Sequence, residues 1–233
     1  MKVAVITPYY KEDEEMMLRC INSVKAQTHK DVTHLLVADG HPHANHASWG
    51  VEHMVIPNCG DYGDTPRAVG AAVIACRPEY DAVAFLDVDN WYEPDHIEEA
   101  LKHMSTSKPI VTTGRNLRRI DGSLLAPCPE SDGKHFCDTN CYIIHRVAFG
   151  VISRWTYKER KYGIIGDRMF WANLPKEYVA RSSKHTVNYT TKFAVHYLHF
   201  GEKPPGDAIE FKNGADGLPV SHRYYIDNIG DKL

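Results

Sequence analysis

Short apolar segments that alternate with helical segments are the feature that most constrains the fold of this chain. Residues 2–7, 34–38, 53–56 and 81–86 are mainly apolar and of strand length, and each run stops at a proline or an aspartate. Continuous apolar runs are typical of strands that are buried on both faces. Helical patterns lie between or after them, near residues 14–28, 64–76 and 94–104. The alternation predicts an α/β fold with a mixed, mainly parallel sheet flanked by helices.

The helix expected near residue 64 has clear start signals. Asp64 or Thr65 can cap it, and Pro66 stands at the first helical position. The spacing predicts a buried stripe on this helix that consists of Val69, Ala72, Val73 and Cys76.

The second part of the chain is less regular. Residues 109–113 and 141–145 are predicted strands, residues 166–174 a short helix, and residues 187–200 one long strand or two short ones. We therefore expect a single domain over residues 1–200, in two halves at 1–105 and 106–200. The Gly- and Pro-rich residues 201–233 are expected to pack on it as a tail.

Length, charge and hydropathy exclude several classes of protein. A chain of 233 residues corresponds to about one large domain. Its net charge of −3 argues against binding to nucleic acid. No apolar run is long enough to span a membrane, and the one at the N-terminus is too short for a signal peptide. We expect a cytoplasmic protein with reduced thiols, for which an oligomer is possible.

The chemistry is concentrated where predicted strands end. Asp87 and Asp89 directly follow a buried strand, and two carboxylates one residue apart can approach one divalent cation, Mg²⁺ or Mn²⁺. Ligands of open α/β sheets collect at this edge. The alternative is an acidic turn in which Asp89 or Asn90 caps the next helix.

Here the chain resembles the GT-A glycosyltransferases, in particular family 2. The resemblance covers residues 2 to about 105 and departs from the family pattern at two positions. Pro66 to Gly70 stand where the family usually has Ala-Arg-Asn-x-Gly, and Asn90 stands where Asp is common. The resemblance rests on the segments Ile6 to Tyr10, Val37 to Gly40, Arg67 with Gly70, and Phe85 to Asn90 with Pro94.

The resemblance implies the GT-A (nucleotide-diphospho-sugar transferase) fold, with residues 1–105 as the nucleotide-sugar-binding half. Thr7, Pro8 and Tyr9 would border the nucleoside, with an aromatic ring available to stack on the base. Asp39 would accept a hydrogen bond from a base N–H group, which suits uracil.

The resemblance also implies a diphosphate site. Arg67 would reach the base or a phosphate, and Asp87 would bond the ribose and lie close to the metal. Asp89 would ligate the Mn²⁺ or Mg²⁺ ion. A third ligand would come from His196 or His199. On a strand they point to opposite faces, so only one of them can reach the metal. The resemblance favours His196, because the family tends to carry this ligand near the end of the strand and Leu198 to Gly201 already look like the exit into a loop.

Residues 106–200 would form the acceptor half. Asp167, at the start of the short helix, would act as the general base that deprotonates the acceptor hydroxyl. The segment Asp138-Thr139-Asn140 and the rings of Trp155 and Trp171 could line the acceptor site, although such aromatic residues are more often core.

The predicted function is therefore a metal-dependent, inverting glycosyltransferase. It would move a sugar from a nucleotide-diphosphate donor, with a UDP-sugar favoured, to a glycan, lipid or protein acceptor. The alternatives are a sugar-nucleotide pyrophosphorylase and an inactive sugar-nucleotide-binding protein. A pyrophosphorylase needs a Gly-rich basic loop after the first strand, but the chain has Pro8 to Asp13 there. A Rossmann dehydrogenase is excluded, because no Gly-x-Gly-x-x-Gly motif follows the first strand.

Overall fold

The computed structural model describes residues 1–156 and 165–210, and the fold is given for these. Their strands are Val3–Tyr9 (β1), Val32–Asp39 (β2), Glu52–Ile56 (β3), Ala82–Phe85 (β4), Trp91–Tyr92 (β5), Ile110–Arg118 (β6), Leu124–Pro127 (β7), Tyr142–His145 (β8) and Val179–Thr190 (β9). Their α-helices are Glu14–Lys25 (α1), Asp64–Ala75 (α2), His96–His103 (α3), Gly166–Ala172 (α4) and Ala194–His199 (α5).

The strands form one mixed sheet in the order β3-β2-β1-β4-β8-β6-β9-β5, with β7 paired to β6. Strands β1 to β4 are parallel, and Ile6 of β1 lies level with Leu35 of β2 and Phe85 of β4. Strand β8 is antiparallel to β4 and β6. The register brings the carboxyl ends of β1, β2 and β4 to one edge, and the predicted α/β fold is confirmed.

The core follows the apolar runs of the sequence. All seven residues of β1 and all four of β4 are buried. Helix α1 packs its face with Met17, Ile21 and Val24 inward, and its N-cap Asp13 accepts a hydrogen bond from the Met16 N–H at 2.8 Å. Among the described helices, none combines the length and the apolar character that a membrane crossing requires.

The buried stripe predicted for α2 is wrong, because the helix turns its opposite face to the sheet. Ala72, Val73 and Cys76 are exposed and Val69 is partly buried, whereas the buried face carries Gly70, Ala71 and Ile74. Gly70 explains the choice. A Cβ atom there would lie 2.8 Å from the Ile6 Cγ2 atom and 2.9 Å from the Val37 Cγ2 atom. The helix therefore lies closer to β1 and β2 than a larger residue permits.

The strand expected over residues 187–200 is also only partly correct. Strand β9 ends at Thr190, and α5 begins at Ala194. The Thr191 hydroxyl ends the strand locally, since it accepts the Phe193 N–H and bonds the His196 Nδ1 atom. The predicted strands at 109–113 and 141–145 and the short helix at 166–174 are present as β6, β8 and α4.

Contacts divide the chain into two units. The first comprises residues 1–116 and 127–189 and contains β1 to β5, β8 and helices α1 to α4. The second comprises residues 117–126 and 190–233, of which 211–233 lie outside the described residues. Within the second unit, Arg119 pairs with Glu202 and Phe193 pairs with Ile209. The predicted tail from 201 to 233 therefore lies mostly outside the described residues.

Candidate active site

A cleft of about 580 Å³ lies in the first unit at the carboxyl ends of β1, β2 and β4. We call it the strand-end cleft. Four of its described lining residues are carboxylates and none is lysine or arginine, so the cleft is acidic. It is lined by Pro8, Tyr9, Tyr10, Glu12, Asp39, Asn58, Gly60, Tyr62, Gly63, Asp87, Val88 and Asp89.

Asp87 enters the cleft from the turn after β4 and is held by side chains on two sides. Its Oδ1 atom accepts a hydrogen bond from the Arg67 Nη2 atom at 2.6 Å, and its Oδ2 atom accepts one from the Asn140 Nδ2 atom at 3.1 Å. Arg67 also donates to the Asp64 Oδ1 atom at 2.9 Å. Burial disfavours the charged guanidinium, but Asp87 and Asp64 raise the pKa of Arg67 above its ordinary value.

Arg67 therefore lies beside Asp87 and is buried rather than displayed to the cleft, and its predicted contact with a base or phosphate stays a prediction. Its side chain is only 4% exposed, against 32% for Asp87. The guanidinium also lies over the Trp155 ring, 4.9 Å from its centre. In this structure its positive charge balances the two aspartates.

The backbone of the Asp87–Asn90 turn is fixed by two hydrogen bonds. The Asn90 N–H donates to the Asp87 carbonyl oxygen at 3.0 Å, and the Arg19 Nη2 atom donates to the Asp89 carbonyl oxygen at 2.9 Å. Arg19 itself packs over the Trp91 ring at 4.3 Å. Both carboxylates of the Asp-x-Asp pair consequently line the cleft from a turn that is anchored to α1.

Asp39, at the end of β2, lines the cleft and organises the loop opposite. Its carboxylate accepts the Cys59 N–H at 2.6 Å and the Gly60 N–H at 3.4 Å. Gly40 next to it has a φ of 79°, and a Cβ atom there would lie 2.7 Å from the Asn58 Cβ atom. The site therefore needs glycine after Asp39, because a side chain would displace the loop that the carboxylate holds.

The three residues predicted to border the nucleoside divide between cleft and interior. Pro8 and Tyr9 line the cleft, whereas Thr7 is fully buried and does not belong to its lining. The Thr7 hydroxyl bonds the His34 Nε2 atom at 2.8 Å, because residues alternate between the two faces of a strand. The structure does not bring Thr7 into the site.

The Tyr9 ring is also mostly enclosed. It is 4% exposed, and its hydroxyl lies 2.7 Å from the His53 Nε2 atom and accepts the His43 N–H at 3.0 Å. Burial and the neighbouring His46 lower the pKa of His53. A neutral His53 can accept the Tyr9 O–H, which orders the start of the β2–β3 connection beside the cleft.

Two exposed aromatic rings of the cleft had been assigned no role from the sequence, although Tyr10 belongs to the Ile6 to Tyr10 motif. Tyr10 is 40% exposed, and Tyr62 is 71% exposed. Tyr62 has a φ of 59°, an unfavourable value for a bulky residue, and lies between Gly60 and Gly63, which also have positive φ. The glycines flanking Tyr62 in Gly60-Asp61-Tyr62-Gly63 were the available signal. These rings are better placed to stack on a planar ligand than Tyr9.

Asp167 lies in the first turn of α4, as predicted. Its Oδ1 atom accepts the Arg168 N–H at 2.7 Å. Burial, followed by the negative charge of Asp138, raises the pKa of Asp167 to about 6, although Arg168 opposes the shift. A carboxyl group with this pKa is ionised at neutral pH and is a stronger base than an ordinary aspartate.

The residues suggested to line an acceptor site are core residues instead. Trp155 and Trp171 are 1% and 5% exposed, and Trp155 stacks on Phe170 with ring centres 4.1 Å apart. Asp138 and Asn140 are 4% and 0% exposed. Thr139 is 5% exposed, so all five suggested residues are buried, which argues against the lining hypothesis.

His196 and His199 lie on α5 in the second unit rather than on a strand. Residues three apart share one face of a helix, so the strand argument that favoured His196 does not apply. Among the described residues no group of three or more His, Cys, Asp or Glu side chains is arranged to hold a metal. The metal-binding role of the two histidines stays a prediction.

The fold is the one that the resemblance to the GT-A glycosyltransferases implied, and it carries the strand-end cleft at the carboxyl ends of β1, β2 and β4. The succinoglycan biosynthesis protein ExoW of Rhizobium meliloti (strain 1021) is 32% identical to this chain over 113 residues. That match covers 45% of this chain and 34% of ExoW. No family model matches the chain.

The solved structures of S. aureus TarS have the same fold. One TarS structure gives a TM-score of 0.59 at 15% identity and covers 85% of this chain and 38% of TarS. Residues 1–349 of TarS in complex with UDP give 0.58 at 15% identity, with coverages of 86% and 63%. The complex with UDP-GlcNAc gives 0.58 at 16% identity, with coverages of 82% and 59%. This chain spans about a third of the length of ExoW and less than two thirds of these TarS chains.

Proposed function

We propose that this chain is a glycosyltransferase that moves a sugar from a nucleotide-diphosphate donor to a hydroxyl acceptor. The observation that carries the proposal is the acidic strand-end cleft with Asp87 and Asp89 in its lining. TarS, which has the same fold, was crystallised with UDP and with UDP-GlcNAc. A UDP-sugar is therefore the favoured donor, and a glycan, lipid or protein hydroxyl is the proposed acceptor.

The charge of the cleft supports a metal-dependent donor site. A diphosphate is anionic, and the described lining offers it four carboxylates without a lysine or arginine, while Arg67 is already paired. Asp87 and Asp89 fit Mg²⁺ or Mn²⁺, which take one or two carboxylates and complete their shell with phosphate oxygens and water. Each Asp87 oxygen keeps a lone pair beyond its hydrogen bond. Such an ion would supply charge neutralisation for the departing diphosphate.

Asp167 is the proposed catalytic base. Its carboxylate would take the proton of the acceptor hydroxyl while the hydroxyl oxygen forms a bond to the anomeric carbon of the donor sugar. The bond between that carbon and the diphosphate oxygen would break, and its electron pair would leave with the nucleotide diphosphate. One displacement from the opposite face inverts the anomeric centre, and the pKa of about 6 keeps Asp167 ionised at neutral pH.

The test incubates the protein with a panel of UDP-sugars and Mn²⁺ and measures the release of UDP, with and without hydroxyl acceptors. We expect at least one donor to be consumed in a metal-dependent manner. Asp89→Ala should abolish both the turnover and the Mn²⁺-dependent binding of UDP.

Asp95→Asn is the matched control, because Asp95 is an exposed carboxylate that pairs with Lys184 at 3.1 Å and does not belong to the cleft lining. It should behave as wild type. UDP binding without turnover of any donor would instead establish an inactive sugar-nucleotide-binding protein. Unchanged Mn²⁺-dependent binding in Asp89→Ala would contradict the metal assignment.

A further inference from the structure

Asn140 makes an unusual set of contacts with the cleft residue Asp87. The Asp87 N–H donates to the Asn140 Oδ1 atom at 2.5 Å, and the Asn140 Nδ2 atom donates to the Asp87 Oδ2 atom at 3.1 Å. One amide side chain therefore forms hydrogen bonds with both the backbone N–H and the carboxylate of the same residue. Asn140 is 0% exposed and lies 53 positions further along the chain, so the contact depends entirely on the fold.

Asn140 is itself immobilised by Asp138. The Asp138 Oδ1 atom accepts the Asn140 Nδ2–H at 2.6 Å and the Asn140 N–H at 2.9 Å. The Asp138 Oδ2 atom accepts from the Arg115 Nη1 atom at 2.5 Å. Arg115 packs over the Tyr189 ring, 4.2 Å from its centre. The amide group consequently has one orientation, with both Nδ2 hydrogens and Oδ1 in use.

The same segment packs against the helix that carries Asp167. The Arg168 guanidinium lies over the Phe136 ring at 4.5 Å. The Tyr142 ring meets the Phe170 ring edge-on, with centres 5.3 Å apart. Residues 136–142 are therefore in contact with Asp87 on one side and with α4 on the other.

We propose that Asn140 is a positioning residue, which fixes the orientation of the Asp87 carboxylate for the nucleotide-diphosphate donor. The inference rests on the proposed function. With Oδ1 bonded to Arg67 and Oδ2 bonded to Asn140, the plane of the carboxylate is set before the donor enters. Binding then costs little reorganisation of the site. Residues 136–142 also connect Asp87, which would bind the donor, to helix α4, which carries the proposed base Asp167.

The test is calorimetric titration of UDP, with Mn²⁺ present, into Asn140→Asp. The substitution keeps the size and the oxygen that accepts the Asp87 N–H, but replaces the Nδ2 donor by an oxygen between two carboxylates. We expect the affinity for UDP to fall at least about tenfold. Asn116→Asp is the matched control, because the Asn116 amide donates to the His185 carbonyl oxygen at 3.2 Å, whereas the hydrogen bonds described above for the Asp87 carboxylate come from Arg67 and Asn140. This variant should keep the wild-type affinity.

A second control separates positioning from a general loss of stability. Ile144→Val removes a methylene from a fully buried residue of β8 and should lower the melting temperature without changing UDP affinity. Hydrogen exchange in the free protein tests the backbone contact without any ligand. Asn140→Leu should speed exchange of the Asp87 amide at least about tenfold relative to Asn140→Asp, which retains the acceptor.

The outcomes distinguish this inference from the proposed function. Wild-type affinity in Asn140→Asp, or an equal loss in Asn116→Asp or Ile144→Val, overturns the positioning role alone. A wild-type chain that binds no UDP overturns the proposed function and the positioning role with it. Loss of affinity confined to the Asn140 variants supports both.

Discussion

The positive charge of the single Arg67 side chain neutralises two carboxylates. Its guanidinium lies between Asp64 and Asp87 and is almost inaccessible to water. An ion pair in such surroundings gains little net energy from its formation, but the loss of one partner leaves a buried charge uncompensated. Asp64, at 4% exposure, cannot recover its hydration. The stability of the cleft therefore depends on Arg67 more than the number of its bonds suggests.

Arg67→Met should lower the free energy of unfolding by about 3–5 kcal/mol, because it removes the charge and leaves the packing volume. Urea unfolding followed by circular dichroism measures the change. The control is Arg77→Met, since Arg77 pairs with Glu52 in a surface contact whose side chains are 32% and 39% exposed. Solvent screens that pair, and we expect a much smaller effect. Equal losses in the two variants would contradict the argument.

The raised pKa of Asp167 has a consequence for pH dependence. A general base must be deprotonated to act, and the pKa of this group is about 6. Transfer should therefore be constant above that value and fall as the pH drops through about 6. The kcat/KM profile of the wild type measures this directly.

Asp167→Asn should reduce transfer by roughly 10²–10⁴-fold, which is the usual range for removal of a general base. Its affinity for UDP should be unchanged, and that affinity is the internal control for the fold. A variant that turns over normally would leave Asp167 with no role beyond the first turn of α4. A product that retains the donor's anomeric configuration would remove the need for the base.

Helix α2 connects the core to the cleft. Its inner face lies on β1 and β2 at Gly70, and its first turn supplies Asp64 and Arg67. Gly63 before it has a φ of 84° and leaves room for the Pro8 ring, whose Cγ atom a Cβ would approach to 3.1 Å. The close approach of the helix and the position of Arg67 are therefore parts of one arrangement.

Gly70→Ala should destabilise the protein although alanine is the better helix former. The gain in helix propensity is about 1 kcal/mol. The added Cβ would lie within 3 Å of the Ile6 and Val37 methyl groups, both fully buried, and overpacking costs about 1–3 kcal/mol. We expect a net loss of up to about 2 kcal/mol in urea unfolding. Val73→Ala, on the exposed face, should stay within about 0.5 kcal/mol of wild type, and a stabilised Gly70→Ala would contradict the packing.

Because the cleft is acidic, we expect it to bind a nucleotide tightly only when a divalent cation is also bound. The melting temperature of the whole protein should show this dependence. UDP at 100 times its dissociation constant stabilises a protein by about 2.7 kcal/mol. For a chain of this size, that corresponds to a rise of about 5–11 °C in melting temperature. Thermal unfolding should show this rise with UDP and Mn²⁺ together and a much smaller one with UDP alone. Equal shifts with and without Mn²⁺ would contradict the metal dependence.

Local patterns were sufficient for much of the architecture. The apolar runs of β1 and β4 are buried because a continuous run has no polar face to turn to water. Asp39, Arg67 and Asp87 could be placed at one edge, because parallel strands direct their carboxyl ends to the same side. The motif order that carries the family resemblance lies in these same segments.

Other features depend on residues that are far apart in the chain. Which face of α2 is buried was decided by the fit of Gly70 against β1 and β2, because its apolar residues allowed either face. Thr7 turned inward because of strand phase, and α5 replaced the end of a strand through the Thr191 hydroxyl. The Asn140 contact with Asp87 spans 53 residues and has no local signal. A hydrophobic pattern acts over a few neighbouring residues, so it determines whether a segment becomes a helix or a strand and at which edge of the sheet the strand-end residues lie. Side-chain packing and buried charge pairs form only when the folded chain brings distant residues together.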